Sequence, residues 1–174
     1  MNTFECIATK LDVRQYSDKP VSHELKLKIL EAGRLTGSAS NRQHWRFILV
    51  QDRDLIQKLA EDSPTGIWVA GANFALIVLN VPQPNFGKLD AGRAIQDMQL
   101  AAWEEGIVSC IFTGINEEAL RRDFEIPDEF EVGVGCGFGY PAFRVTGRKK
   151  SRAPLEEIAF LNKFGGPLKL GDSR

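Results

Sequence analysis

The segment from Asp90 to Gly106 limits the possible folds most. Its apolar residues recur at helical spacing in two rows. One row holds Ala91, Ala94, Ile95, Met98, Ala101 and Ala102; the other runs through Gln96, Leu100, Trp103 and Ile107. Such a helix is buried on more than one side. Its alanines let another helix approach closely, from the same chain or from a second copy. The near-continuous apolar run Phe74–Val81 adds a second constraint, that of an inner strand covered on both faces.

The remaining elements follow from local signals. Residues 2–11 predict a short helix with Phe4, Ile7, Ala8 and Leu11 on one face. Ser22 is a candidate N-cap for a helix carrying Leu25, Ile29, Leu30 and Ala32, with Gly33 near its end. Arg46–Gln51 reads as a buried strand, Asp54–Glu61 as a short helix and Ser63–Gly71 as irregular, because of Pro64, Gly66 and Gly71. Pro82, Pro84 and Gly87 break the chain before the long helix. Val108–Thr113 predicts a strand. Asn116 caps a helix with Glu117 and Glu118 at its start and Arg121 and Arg122 towards its end, as the helix dipole favours. In the strand Glu131–Phe138, Gly133, Gly135 and Gly137 share one face, so another body lies across it, a helix or a ligand.

The 174 residues predict a single domain spanning 1–174, with a sizeable core. A net charge of −1 gives no footprint for nucleic acid. Three cysteines without a CxxC pair suggest neither a disulfide framework nor a zinc site. No apolar stretch approaches the ~20 residues of a membrane span, and no signal peptide is visible. A reducing, cytoplasmic setting is the expectation.

Acid–base side chains are scarce. His23 and His44, the only histidines, lie far apart in sequence and within no carboxylate or cysteine cluster. No GxxxxGK[ST] loop is present, and the glycines around 133–139 do not form GxGxxG. A borrowed cofactor or a binding role is the remaining direction. The loop Gly37–Asn41, of small and polar residues, is either an ordinary turn or a close approach to a planar or anionic ligand. Lys10 with Arg14, and Lys150 with Arg152, either surround one phosphate or form two solvated patches.

Five stretches in order resemble the nitroreductase family of FMN-dependent NAD(P)H oxidoreductases. They are Lys10-Leu-Asp12-Val-Arg14-Gln-Tyr16, the helix from Pro20-Val21 to Ala32, Gly37-Ser38-Ala39-Ser40-Asn41-Arg42-Gln43-His44-Trp45-Arg46-Phe47, Asp90-Ala-Gly92 through Gly106, and Gly139-Tyr140-Pro141 followed by Lys150-Ser-Arg152-Ala-Pro154. The resemblance covers about residues 5 to 160. It implies an α+β fold, a mixed but mainly antiparallel sheet flanked by helices, in an intertwined homodimer with FMN at the subunit interface. The alanine-lined helix would be the dimer helix.

By position, Lys10, Arg14, Lys150 and Arg152 would hold the FMN phosphate and pyrimidine edge, with Asp12 beside the phosphate. Ser38, Ala39, Ser40, Asn41 and Gln43 would also contact FMN, the loop 38–41 coming from the partner subunit. Thr113 and Gly114 would present backbone N–H groups near flavin N5. The implied activity is electron transfer from NADH or NADPH to a nitroaromatic, a quinone or a similar small-molecule acceptor. A flavin store, or a relative with dehalogenating or flavin-degrading chemistry, is the alternative. Three positions depart from the family pattern. Asp12 stands where serine is usual and must pair with Lys10 or Lys150 to avoid repelling a phosphate. Gly37 and His44 replace prolines. Cys110, beside the N5 strand, reads as a core residue.

Overall fold

The computed structural model describes residues 1–82, 86–145 and 150–168. The turn expected at Pro84, Arg148 and Lys149 of the basic run, and the last residues of the tail lie outside the described residues. The strands are β1 (Trp45–Val50), β2 (Phe74–Asn80), β3 (Val108–Phe112) and β4 (Glu131–Gly139). They form one sheet in the order β1-β2-β4-β3, each neighbouring pair antiparallel. A lone parallel bridge between Asp12 and Ser109 extends the β3 edge. The helices are α1 (Thr3–Thr9), α2 (His23–Leu35), α3 (Arg53–Glu61), α4 (Gly87–Glu104), α5 (Glu117–Asp123) and α6 (Leu155–Ile158).

Side-chain alternation along β2 divides the core into two layers. Phe74, Leu76 and Val78 face Ile29 of α2, Met98 of α4, and Phe138. Ala75, Ile77 and Leu79 face Ile56 and Leu59 of α3, Val69, and Phe112. All of β2 is buried, as its apolar run predicts. β1 is not the buried strand that its composition suggests. It is the sheet edge, so Arg46 is exposed and Phe47–Leu49 are only half-covered.

The caps fall where the sequence places them. Ser22 Oγ accepts from the Leu25 N–H at 3.3 Å, and Asn116 Oδ1 from the Ala119 N–H at 3.3 Å. Each such cap contributes about 1 kcal/mol. Asp52 caps α3 in the same way. The segment read as irregular contains a 3₁₀ turn, Ile67–Gly71.

Gly33 lies near the end of α2, at Leu35, as expected, and lets Met98 of α4 press against the α2 backbone. Two packing expectations change. The alanines of α4 face their own chain, with Ala91, Ala94 and Ala102 buried. The outward face of α4 instead carries Leu89, Gly92, Arg93 and Gln96. On α1, Cys6 is the buried residue, while Phe4 is 77% exposed and Ile7 is also exposed.

Gly135 and Gly137 of β4 share a face that receives side chains rather than one long helix, but Gly133 does not share it, because a register shift opposite Val78 and Leu79 turns it towards α4. The Phe112 ring occupies the space at Gly135, and Trp68, Val69 and Tyr16 crowd Gly137. Gly133 faces Asn80 and Ala91 of α4. A methyl at Gly135 would overlap a ring locked in the core. Gly135→Ala is therefore expected to cost about 1–3 kcal/mol, read as a lower denaturant midpoint at unchanged slope.

Candidate functional site

Local chain geometry first explains the cations. After α1, the chain runs extended along β3, with the Val13 N–H donating to the Ser109 carbonyl at 3.2 Å. Alternation along this stretch puts Lys10, Asp12 and Arg14 on one side and buries Val13. Lys10 Nζ lies 2.5 Å from Asp12 Oδ1, the pairing that an acidic residue at this place requires.

The far end of the chain returns to the same spot. Lys150 Nζ donates to the Ile7 carbonyl at 2.7 Å. Burial pushes the Lys150 pKa down, and Arg152 and Lys10 push it further, while Asp12 opposes them. Lys10, Lys150 and Arg152 thus feel one another across the molecule. Three cations against one carboxylate leave a local positive excess, which adds to burial in destabilising the charge on Lys150.

Arg14 continues the site along β3. Its Nε donates to Cys110 Sγ at 3.4 Å, and its guanidinium carbon lies 5.6 Å from the centre of the Trp68 ring. Cys110 is buried, as expected of a core residue, yet it also orients Arg14. Trp68 meets Phe112 edge-on at 5.7 Å. Beneath them, the Tyr16 hydroxyl donates to the Gly137 carbonyl at 3.2 Å, and burial raises its pKa, which keeps it a neutral donor. At the end of β3, Thr113 is exposed and the Gly114 N–H donates to Thr65 Oγ1 at 3.1 Å.

The loop after α2 sits elsewhere. Ser40, Asn41 and Gln43 have φ values of 51°, 53° and 52°, in the left-handed region. Each costs of order 1–3 kcal/mol unless its surroundings hold it. Ser38 Oγ accepts from the Gln43 N–H at 2.9 Å, and the Asn41 N–H donates to the Ser38 carbonyl at 3.0 Å. The Ala39 N–H donates to Asp90 Oδ2 at 3.1 Å. His44 is not remote from carboxylates: its Nε2 is 3.9 Å from Asp90 Oδ2.

Within one chain the predicted residues form two groups. Lys10, Asp12 and Arg14 lie beside β3, Thr113 and Gly114 follow its end, and the segment of Lys150 and Arg152 joins them through the Lys150 bond to Ile7. Ser38, Ala39, Ser40, Asn41 and Gln43 lie at the start of α4. The Trp103 N–H donates to Thr9 Oγ1 at 3.0 Å, next to the cations, at the opposite end of that helix. From Asp90 to Trp103 is about 13 residues, or ~20 Å of helix. Sequence reasoning missed Thr65, Trp68, Asp90 and Arg93. Their partners are distant in sequence, except for the Asp90–Arg93 pair, whose helical spacing was the one available signal.

The Nitroreductase family model matches residues 7–82 and 67–140. A Methanothermobacter thermautotrophicus protein named "Putative NADH dehydrogenase/NAD(P)H nitroreductase" is 34% identical over 151 residues, covering 82% of this chain and 78% of its own. A Parabacteroides distasonis crystal structure of the same name superposes with a TM-score of 0.85 at 27% identity, covering 93% of this chain and 98% of that one. A Desulfovibrio desulfuricans structure described as "a putative nitroreductase in complex with fmn" gives a TM-score of 0.83 at 26% identity, covering 94% and 98% of the two chains. The chain belongs to the nitroreductase family.

Proposed function

We propose that the protein is an FMN-dependent NAD(P)H oxidoreductase that works as a homodimer and reduces nitroaromatics, quinones or similar electron-poor acceptors. The observation that carries this reading is the return of the C-terminal basic segment to the N-terminal one, where Lys150 Nζ donates to the Ile7 carbonyl beside Lys10 and Asp12. Such a cluster suits a phosphate, because an added dianion offsets both the burial that depresses Lys150 and the lesser repulsion from Arg152 and Lys10. FMN, when held by these residues, would supply the redox chemistry between NAD(P)H and the acceptor.

The chain's own residues bind and orient. Lys10, Lys150 and Arg152 fix the phosphate end. Asp12 tempers their charge and holds Lys10 in place. Arg14, held by Cys110 and stacked near Trp68, offers its remaining donors to the polar edge of the ring system. Thr113 and Gly114 border the reacting edge, and Thr65 steadies the Gly114 peptide.

One chain cannot close both groups of residues around one cofactor, because α4 separates them. A twofold axis that sets α4 antiparallel to its copy brings the loop of one subunit to the cations of the other. Exposed apolar side chains support such a contact. Phe4 and Ile7 of α1, Leu89 of α4, and Leu155, Ile158 and Phe164 near the C-terminus are all uncovered. Apolar surface of that extent marks an interaction site.

Titration of the flavin-free protein with FMN, followed by flavin absorbance and sedimentation, tests this directly. The expected result is a dimer with one FMN per chain; a colourless monomer at saturating FMN contradicts it. Lys150 adds a pH signature. Phosphate binding raises its pKa above the depressed value of the free protein. Its contribution to affinity is therefore complete below the free value and is lost as pH rises through the bound one. FMN binding weakens as pH is raised from neutral to alkaline, and Lys150→Met flattens that dependence in a fluorescence titration.

A further inference from the structure

We infer that Asp90 is a positioning residue for the cofactor, acting in trans by holding the loop that completes the site of the partner subunit. This inference rests on the FMN reading above. Asp90 is 1% exposed, on the first turns of α4. A carboxylate buried so deeply needs donors and countercharge. It receives the Ala39 N–H on Oδ2, meets Arg93 Nη1 at 3.4 Å on Oδ1, and lies 3.9 Å from His44 Nε2. That imidazole nitrogen is itself buried and has no hydrogen-bond partner, so its polar counterpart is this carboxylate.

The loop needs such a hold. Three left-handed residues without glycine persist only where the surroundings over-determine them. The bonds inside the loop fold it on itself; the Ala39–Asp90 bond ties it to the body of the protein. Arg93 adds to the clasp. A methyl at Gly37 would stand 2.8 Å from Arg93 Nη2, so the guanidinium lies against the backbone there. Asp90 touches no part of the proposed cofactor. It acts through Ser38–Asn41.

A carboxylate that merely stabilised its own helix would weaken its own chain, whichever subunit the loop serves. Positioning in trans has a different signature. Asp90→Ala homodimers are expected to bind FMN at least tenfold more weakly than wild type. Arg14→Ala homodimers also bind weakly, through loss of a direct contact. A mixed dimer of one Asp90→Ala chain and one Arg14→Ala chain then has one undamaged site, built from the cations of the first chain and the loop of the second. Calorimetric titration of mixed dimers purified through two affinity tags should find one site of wild-type affinity per dimer. Wild-type affinity in the Asp90→Ala homodimer, or no recovered site in the mixed dimer, overturns the inference.

If Asp90→Ala does not yield soluble protein, Ala39→Pro removes the same bond from the loop side. Ser38, with φ −130° and ψ 159°, already has the extended conformation that a following proline requires. The same two outcomes then decide. Failure of the wild-type protein to bind FMN would instead overturn the parent reading, so the two failures are distinguishable.

Discussion

Arg14→Ala weakens FMN binding by about 10- to 100-fold, the range set by ~1.5–3 kcal/mol for a hydrogen bond to a charged group. It also slows reduction of the protein-bound cofactor by NAD(P)H. Both effects follow from one placement. Arg14 is solvent-facing and oriented by Cys110 and Trp68, so its removal leaves the core intact. The thermal midpoint of the flavin-free protein should therefore barely move. Equilibrium titration and anaerobic stopped-flow absorbance measure the two losses separately. Unchanged values for both would remove Arg14 from the site.

The second large effect concerns the frame. Phe138→Ala should cost about 3–5 kcal/mol, the usual range for removing a buried phenyl ring. Phe138 is fully buried and stacks on Phe74 with ring centres 4.9 Å apart and planes 5° apart. No neighbour in this double-covered sheet can collapse into the space without moving β2 or β4. For a domain of this size the melting temperature falls by roughly 6–20 °C, at ~2–4 °C per kcal/mol. Leu27→Ala, on the exposed side of α2, is the contrasting control and should change stability by no more than ~0.5 kcal/mol. A Phe138→Ala protein as stable as wild type would mean that the two-layer core is wrongly described.

Local chemistry made the elements legible, and distance hid the assembly. Ser22 and Asn116 announce their helices because a cap needs only the next three residues. The apolar run of β2 announces an inner strand because both its faces are covered. The edge position of β1 could not be read, since its composition alone does not reveal a missing neighbour. The alanines of α4 marked a close approach, but whether α2 or a second copy makes it is a tertiary question. Within one chain α2 makes such an approach, with Gly33 pressed against Met98.

The candidate site divides in the same way. Lys10 and Arg14, like Lys150 and Arg152, were visible as pairs through their spacing. That the pairs converge was legible only through resemblance to a family, because nothing near Ile7 signals that Lys150 will bind its carbonyl. Asp90 was visible only as the start of the long helix, where an acidic residue already has an ordinary explanation. Its bond to Ala39 joins residues from separate elements, and the significance of His44 becomes visible only beside it.

The most direct test of the whole account is an anaerobic spectrum of the FMN-loaded dimer during addition of NADH or NADPH. The account predicts that the yellow colour bleaches with one of these donors and returns when a quinone or nitroaromatic is added. A dimer whose bound FMN stays oxidised with both donors would contradict it.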